Sequence, residues 1–292
     1  MDPKLLSAIG AAGAAGGGPI GVEDVFKTYL YKGNDSARSI NTGVDMTGGG
    51  LTWIKARDVT DNHILVDTER GVNKPIFTSA SNAESTLANS ITAFNNNGFS
   101  LGSAADVNWN NKEYVSFNFK KQEKFFTIKS YTGTGSNRTL SNDLGSVPGF
   151  ILIKNIDENG TDWLVYHRSV GATKGLLLNH NNSASDQITY FNDTEPTSTE
   201  VSLGSSNEGN KSGANYIMYL FGHEEAEFGP NSDQKITSCG VYTGNGSSTG
   251  PEITLPFEPA LVLVKTSDSN ESWYLQDSMR GSSTVLFPNR TD

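Results

Sequence analysis

One order of residues recurs three times along this chain, and it limits the fold more than any other feature. A tyrosine is followed by a glycine-rich turn, a polar stretch, a second turn, an apolar block and a lysine. The clearest copy runs from Tyr131-Thr-Gly-Thr-Gly135 through Leu144-Gly-Ser-Val-Pro-Gly149 to Phe150-Ile-Leu-Ile153 and Lys154. A second runs from Tyr242-Thr-Gly-Asn-Gly246 through Leu255-Pro-Phe-Glu-Pro259 to Leu261-Val-Leu-Val264 and Lys265, and a more divergent one from Tyr31 to Lys55. Tyr31 to Lys55, Tyr131 to Lys154 and Tyr242 to Lys265 span 24, 23 and 23 steps. Near-constant spacing of this kind marks a tandem array of one supersecondary unit.

Downstream of each block the array continues in step. Leu101 to Leu203 and Tyr114 to Tyr216 are each 102 residues apart. Tyr114-Val-Ser-Phe-Asn-Phe119 alternates as a half-buried strand does, and Tyr216-Ile-Met-Tyr-Leu-Phe221 matches it. Short apolar blocks separated by Gly, Asn, Asp and Pro predict an all-β chain of tandem antiparallel β-sandwich modules, jelly-roll or lectin-like. The expected boundaries are an arm over 1–22, repeats over 23–122 and 123–232, and an incomplete repeat over 233–292. The third repeat holds no counterpart of Tyr114 or Tyr216 downstream of its own opening block. A half sandwich exposes its inner face, so either a longer array or another subunit is expected to complete it.

The arm begins Met1-Asp-Pro-Lys4, with Leu5, Leu6 and Ile9 before a Gly/Ala run, and reads as flexible or briefly helical. Gly is costly to order without a partner. The arm does not read as a signal peptide, because Asp2 offsets Lys4 and glycines interrupt its apolar stretch. Gly16, Gly18 and Gly21 match a dinucleotide-binding pattern literally, but no strand is expected before them and Pro19 lies inside.

Net charge is −10, without a basic stripe, which disfavours nucleic acid. Cys239 is the only cysteine, and no Cys/His spacing suits zinc. No apolar run is long enough to cross a membrane. No cofactor, metal or catalytic residue is expected. His223-Glu-Glu-Ala-Glu227 lacks the second histidine of a zinc-protease motif, and Asp157-Glu-Asn-Gly-Thr-Asp162 departs from an EF-hand loop and reads as a hairpin turn.

The repeated polar set past each opening block is His63, Asp67, Arg70 and Gly71; Trp163, His167, Arg168 and Gly171; Trp273, Asp277, Arg280 and Gly281. Asp and Arg three apart can pair across a tight turn whose glycine takes positive φ, or can hold a sugar or an ion. Lys55, Lys154 and Lys265 read as solvated strand ends. Trp53, Trp109, Trp163 and Trp273 are candidate sugar platforms, which supports an alternative reading as a carbohydrate-binding or glycan-cleaving protein.

The blocks Tyr131–Gly135 and Leu144–Gly149, with Val165-Tyr-His-Arg168, Tyr216–Phe221 and Ser238–Gly246, resemble the repeated domain of tail-fibre-like proteins of marine bacteriophages, cyanophages especially. The Met1-Asp-Pro start with its Gly/Ala arm resembles the N-termini of that group. The resemblance implies a non-enzymatic virion structural protein, a tail fibre or tail-associated adhesin, made in the infected host's cytoplasm. Its N-terminal part would anchor to tail adaptor or nozzle proteins through Met1, Pro3, Leu5, Leu6 and Ile9. Its modules would project toward a host surface glycan, and it would self-associate as a homotrimer.

Overall fold

A computed structural model describes residues 3–10 and 20–292. Residues 1–2 and 11–19, Met1 of the expected anchor among them, lie outside the described residues. The chain is all-β and antiparallel, with four single-turn helices between strands among the described residues. Strand β1 (Pro3–Gly10) comes first. Module one holds β2 (Phe26–Lys32), β3 (Arg38–Asn41), β4 (Gly50–Ala56), β5 (Ile64–Asp67), β6 (Ile76–Phe77), β7 (Ile91–Asn95), β8 (Gly98–Leu101) and β9 (Glu113–Lys120). Module two holds β10 (Phe126–Thr132), β11 (Arg138–Ser141), β12 (Phe150–Asn155), β13 (Leu164–His167), β14 (Lys174–Leu177), β15 (Ser185–Asp186), β16 (Glu200–Leu203) and β17 (Asn215–Phe221). Module three holds β18 (Thr237–Thr243), β19 (Pro259–Thr266) and β20 (Tyr274–Asp277).

Each module contributes one inner sheet of the same plan. Module one pairs in the order β2-β9-β4-β5-β6 and module two in the order β10-β17-β12-β13-β14-β15. The third sheet runs β18-β1-β19-β20. β1 therefore occupies the middle position that β9 and β17 hold in the complete modules. Its register agrees with theirs: Ser7 lies opposite Leu263, as Phe117 lies opposite Trp53 and Tyr219 opposite Leu152. Residues 3–10 are thus not set apart as an arm. They complete the third sheet within the same chain, because an apolar sheet left without its central strand would have two unpaired edges and an uncovered face.

The inner faces of the three sheets share one core. Leu5 and Ile9 from β1, Trp53, Phe117 and Phe119, Leu152, Trp163 and Tyr219, and Leu263, Trp273 and Leu275 belong to a single buried apolar cluster. The modules are packed against one another through this cluster. Two further cores are local. Outer layers β3-β8-β7 and β11-β16 cover the far faces of the first two inner sheets, around Ile54, Phe99 and Tyr114 in one and Ile151, Tyr166 and Met218 in the other. Sheet three has no such layer among the described residues: Val262 and Val264 are half-buried on its far face and Tyr274 is exposed.

The repeated Tyr-x-Gly has a packing cause. Tyr31 stacks on Tyr114 and Tyr131 on Tyr216, both with centroids 5.1 Å apart and planes at 10°. Two residues later the chain passes against the loop before β9 or β17, where a Cβ on Gly33 or Gly133 would lie 2.0 Å or 2.2 Å from a backbone oxygen. Only glycine fits there.

Candidate functional site

The charged and aromatic residues that recur in the sequence gather along the seams between modules, and these seams run in a closed ring. From module one to module two, Gly160 N donates to Ser81 O (2.9 Å) and Glu84 N to Ile156 O (2.9 Å). From two to three, Ala184 N donates to Ser267 O (2.8 Å) and Ser183 N to Asn270 Oδ1 (3.0 Å). From three back to one, Asp61 N donates to Thr291 O (2.7 Å) and Thr78 Oγ1 to Pro288 O (2.7 Å). Trp163 Nε1 reaches across to Phe77 O (2.8 Å), and Trp273 Nε1 to Leu177 O (3.0 Å). At the corresponding place in module one stands His63, fully buried, whose Nδ1 accepts from Trp53 Nε1 at 3.0 Å. An indole N–H only donates, so the neutral ring carries its proton on Nε2. Desolvation first, then Lys55, holds the His63 pKa well below the usual histidine range.

Trp53, Trp163 and Trp273 are therefore core side chains and cannot stack on a sugar. Trp109 is the exposed one, at 49 %, with Lys112 Nζ 5.4 Å from its ring centroid.

The three lysines are not solvated strand ends. Lys55, Lys154 and Lys265 are buried, and each ammonium is held by backbone oxygens near a seam. Lys55 Nζ donates to Ala56 O (2.8 Å) and to Thr291 O of module three (3.0 Å). Lys265 Nζ donates to Thr266 O (2.7 Å) and to Asn181 O of module two (3.2 Å). Lys154 Nζ bonds Asn155 O (2.8 Å) and Thr161 O (3.0 Å) in its own module. Desolvation brings Lys154 and Lys265 down to about 8 and lowers Lys55 as well. The carboxylates Asp162 near Lys154, Glu271 and Asp268 near Lys265, and Asp61 and Asp292 near Lys55 oppose this only in part.

A pH dependence follows from these lysines. The folded chain releases the protons of Lys154 and Lys265 near pH 8 and that of Lys55 below its usual range, while the unfolded chain keeps them to roughly 10.4. Stability is therefore expected to rise between about pH 8 and 9.5, by at most about 1.4 kcal/mol per pH unit for each lysine. Cys239 acts in the opposite direction, because burial raises its thiol to about 12. The buried Tyr31, Tyr131 and Tyr219, raised by desolvation, reverse the trend above about pH 10. Urea unfolding at several pH values measures the slope, and Lys154→Met should remove one lysine's share. A stability that falls steadily from pH 7.5 would contradict the assignment.

Asp67 and Arg70 form the most connected cluster. Asp67 Oδ1 accepts from Glu69 N (3.0 Å) and Arg70 N (2.9 Å), and Arg70 Nε donates to Asp67 Oδ2 (2.6 Å). Gly71 closes the turn at φ 91°. Arg70 also reaches Leu65 O (3.1 Å), Lys74 O (2.6 Å) and Glu84 Oε2 (3.2 Å). From module two, Tyr219 donates its hydroxyl to Asp67 Oδ2 at 2.7 Å while its ring stacks on Trp163. Burial alone would lower the Arg70 pKa, but Tyr219 and Asp67 outweigh it and hold the guanidinium above its usual range.

Asp277 and Arg280 repeat the turn in module three. Arg280 N donates to Asp277 Oδ1 (2.9 Å), its Nε to Asp277 Oδ2, its Nη2 to Leu275 O (3.3 Å), and Gly281 has φ 86°. No residue of module one takes the part of Tyr219 there, and desolvation lowers the Arg280 pKa. In module two the pair is replaced. His167 Nδ1 accepts from Ser169 N (3.1 Å), Gly171 N donates to His167 O (3.1 Å), and Val170 stands where Arg70 and Arg280 stand. Arg168 instead contacts His223 Nε2 (2.6 Å), whose Nδ1 accepts from Cys239 N (3.1 Å) on β18. Arg168 and His223 thus tie modules two and three.

Asp157, Glu158 and Asp162 each take a separate protein partner. Asp157 Oδ2 accepts from Asn215 N (2.8 Å), Glu158 binds Lys211 Nζ (2.6 Å), and Asp162 accepts from Asn179 Nδ2 (2.7 Å). No cluster of three metal-ligating side chains occurs among the described residues. Of the expected anchoring residues, Leu5 and Ile9 are buried in the shared core, and Pro3 and Leu6 belong to β1. Tyr219 and Glu84 were not singled out from the sequence. Tyr219 is legible only as one position of an alternating strand, and Glu84 lies in a polar stretch without pattern.

Residues 22–290 match one family model, described as Domain of unknown function (DUF7483). The chain belongs to the DUF7483 family. The DUF7483 match runs across all three modules and the seams between them, and β1 lies before it. No curated protein and no solved structure matches the chain.

Proposed function

We propose that this DUF7483 protein is a non-enzymatic structural or adhesive component of a phage particle, in the tail fibre or associated with the tail. The observation that carries this reading is where the recurrent charges lie: Lys55, Lys265, Arg70 and Arg168 all bond across or beside a seam. Charges placed this way hold three sheets in one block. The sequence resemblance to tail-fibre-like repeats supplies the setting, with tail adaptor or nozzle proteins as partners, a host surface glycan as target and a homotrimer as assembly state. No helix among the described residues is long and apolar enough to cross a membrane.

Since Leu5 and Ile9 are buried in the core, attachment to a tail would have to use another surface or release β1. Antibodies against the purified chain should label the tails of particles that carry it, and the chain should appear in the proteome of purified particles. Recovery only from the soluble fraction of infected cells would contradict the proposal. The glycan-binding alternative retains one aromatic platform, Trp109. A glycan array with wild type and Trp109→Ala tests it: binding lost in the variant supports a lectin, and equal signals from the two remove Trp109 from consideration.

A further inference from the structure

The slot that β1 fills is built for a bulkier strand than β1. β1 pairs along its length with β18 on one side and β19 on the other, from Pro3 opposite Thr243 to Ile9 opposite Leu261. The side chains it turns into the shared core are Leu5, Ser7 and Ile9, where β9 offers Val115, Phe117 and Phe119 and β17 offers Ile217, Tyr219 and Phe221. Serine thus stands where the other two modules have an aromatic ring. Beside it is an apolar cavity of about 50 Å³, lined by Ser7, Ile9, Trp53, Leu152, Phe221 and Leu263 among others, so that all three sheets border the gap. Two more positions are reduced. Ala8 stands in place of Leu220, and Lys4 pairs with Tyr242, where Tyr216 stacks on Tyr131. β1 also precedes the residues of the family match, whereas β18 and β19 lie inside it.

We propose that the groove between β18 and β19 is a strand-accepting site. Its ligand is an extended segment of another protein chain with alternating apolar side chains, the central one larger than serine, and β1 is the resident strand that it displaces. Backbone pairing with both edges supplies binding that any extended segment can use, while the side-chain pockets select. Filling the gap beside Ser7 favours the incoming strand.

The test uses the full chain and two labelled octapeptides: the sequence of residues 3–10, and the same sequence with leucine in place of the serine. The leucine peptide should bind about ten- to a hundredfold tighter than the serine peptide, the advantage of burying one large apolar side chain. In a Ser7→Cys variant, the new thiol would face Cys239, its cross-strand neighbour, at positions where Ser7 Oγ and Cys239 Sγ are 3.8 Å apart. Oxidation should lock β1 in place and abolish binding, and reduction should restore it, which separates the lock from any folding defect. Absence of leucine-peptide binding to the wild-type chain at the highest soluble concentration would overturn the proposal. Equal binding to the oxidised and reduced variant would overturn it too.

Discussion

Deleting residues 2–10 should destabilise the whole chain, not only its third module. The deletion removes Leu5 and Ile9 from the shared core, which by apolar burial alone is about 3–6 kcal/mol. It also leaves the facing amides and carbonyls of β18 and β19 without partners, each costing about 1–3 kcal/mol if it stays buried. Losses of this size approach the full stability of many domains. Because the core is continuous, Trp53 and Trp163 in the other two modules should become more exposed. Denaturant unfolding followed by tryptophan fluorescence checks this, and an unchanged midpoint would mean that β1 contributes nothing to the fold.

The second large effect is expected at Asp67. Asp67→Ala leaves the Arg70 guanidinium buried with Glu84, the Tyr219 hydroxyl and backbone oxygens around it, and stranding one member of a buried pair typically costs about 3–5 kcal/mol. Tyr219→Phe removes one donor to the same carboxylate and should cost about 1 kcal/mol. Replacing both charges, Asp67→Leu with Arg70→Met, should recover most of the loss, because a buried ion pair exchanged for apolar side chains of similar size is often neutral. Single variants with no effect would show that the cluster does not brace the seam between modules one and two.

The two cases differ in how far they could be read in advance. The turn formed by Asp67, Arg70 and Gly71 is local, and its i, i+3 spacing with a glycine shows in the sequence. The all-β class is likewise legible from strand alternation and glycine-rich turns. What the spacing cannot show is that Tyr219, 152 residues away, donates to the same carboxylate. Burial of the lysines was hidden for a related reason: the oxygens that receive Lys55 and Lys265 come partly from other modules, Thr291 and Asn181. A lysine at the end of an apolar block looks the same in sequence whether water or a neighbouring module lies beyond it.

β1 was the least legible element. Pro3-Lys-Leu-Leu-Ser-Ala-Ile-Gly10 has no clean period-two alternation, and the glycines and alanines that follow suggest a tether. Its role is set by partners more than two hundred residues away. The repeat did carry a signal, since residues 233–292 hold no counterpart of the strands that carry Tyr114 and Tyr216. In the structure β1 occupies that place between β18 and β19.

That placement is the central claim, and amide hydrogen exchange tests it most directly. In the full chain, amides across β18 and β19 should be protected together with those of β1. In a chain starting at residue 20, protection of β18 and β19 should collapse while the outer layers β3-β8-β7 and β11-β16 keep more of theirs. Equal protection of β18 and β19 with and without the N-terminal residues would contradict the account.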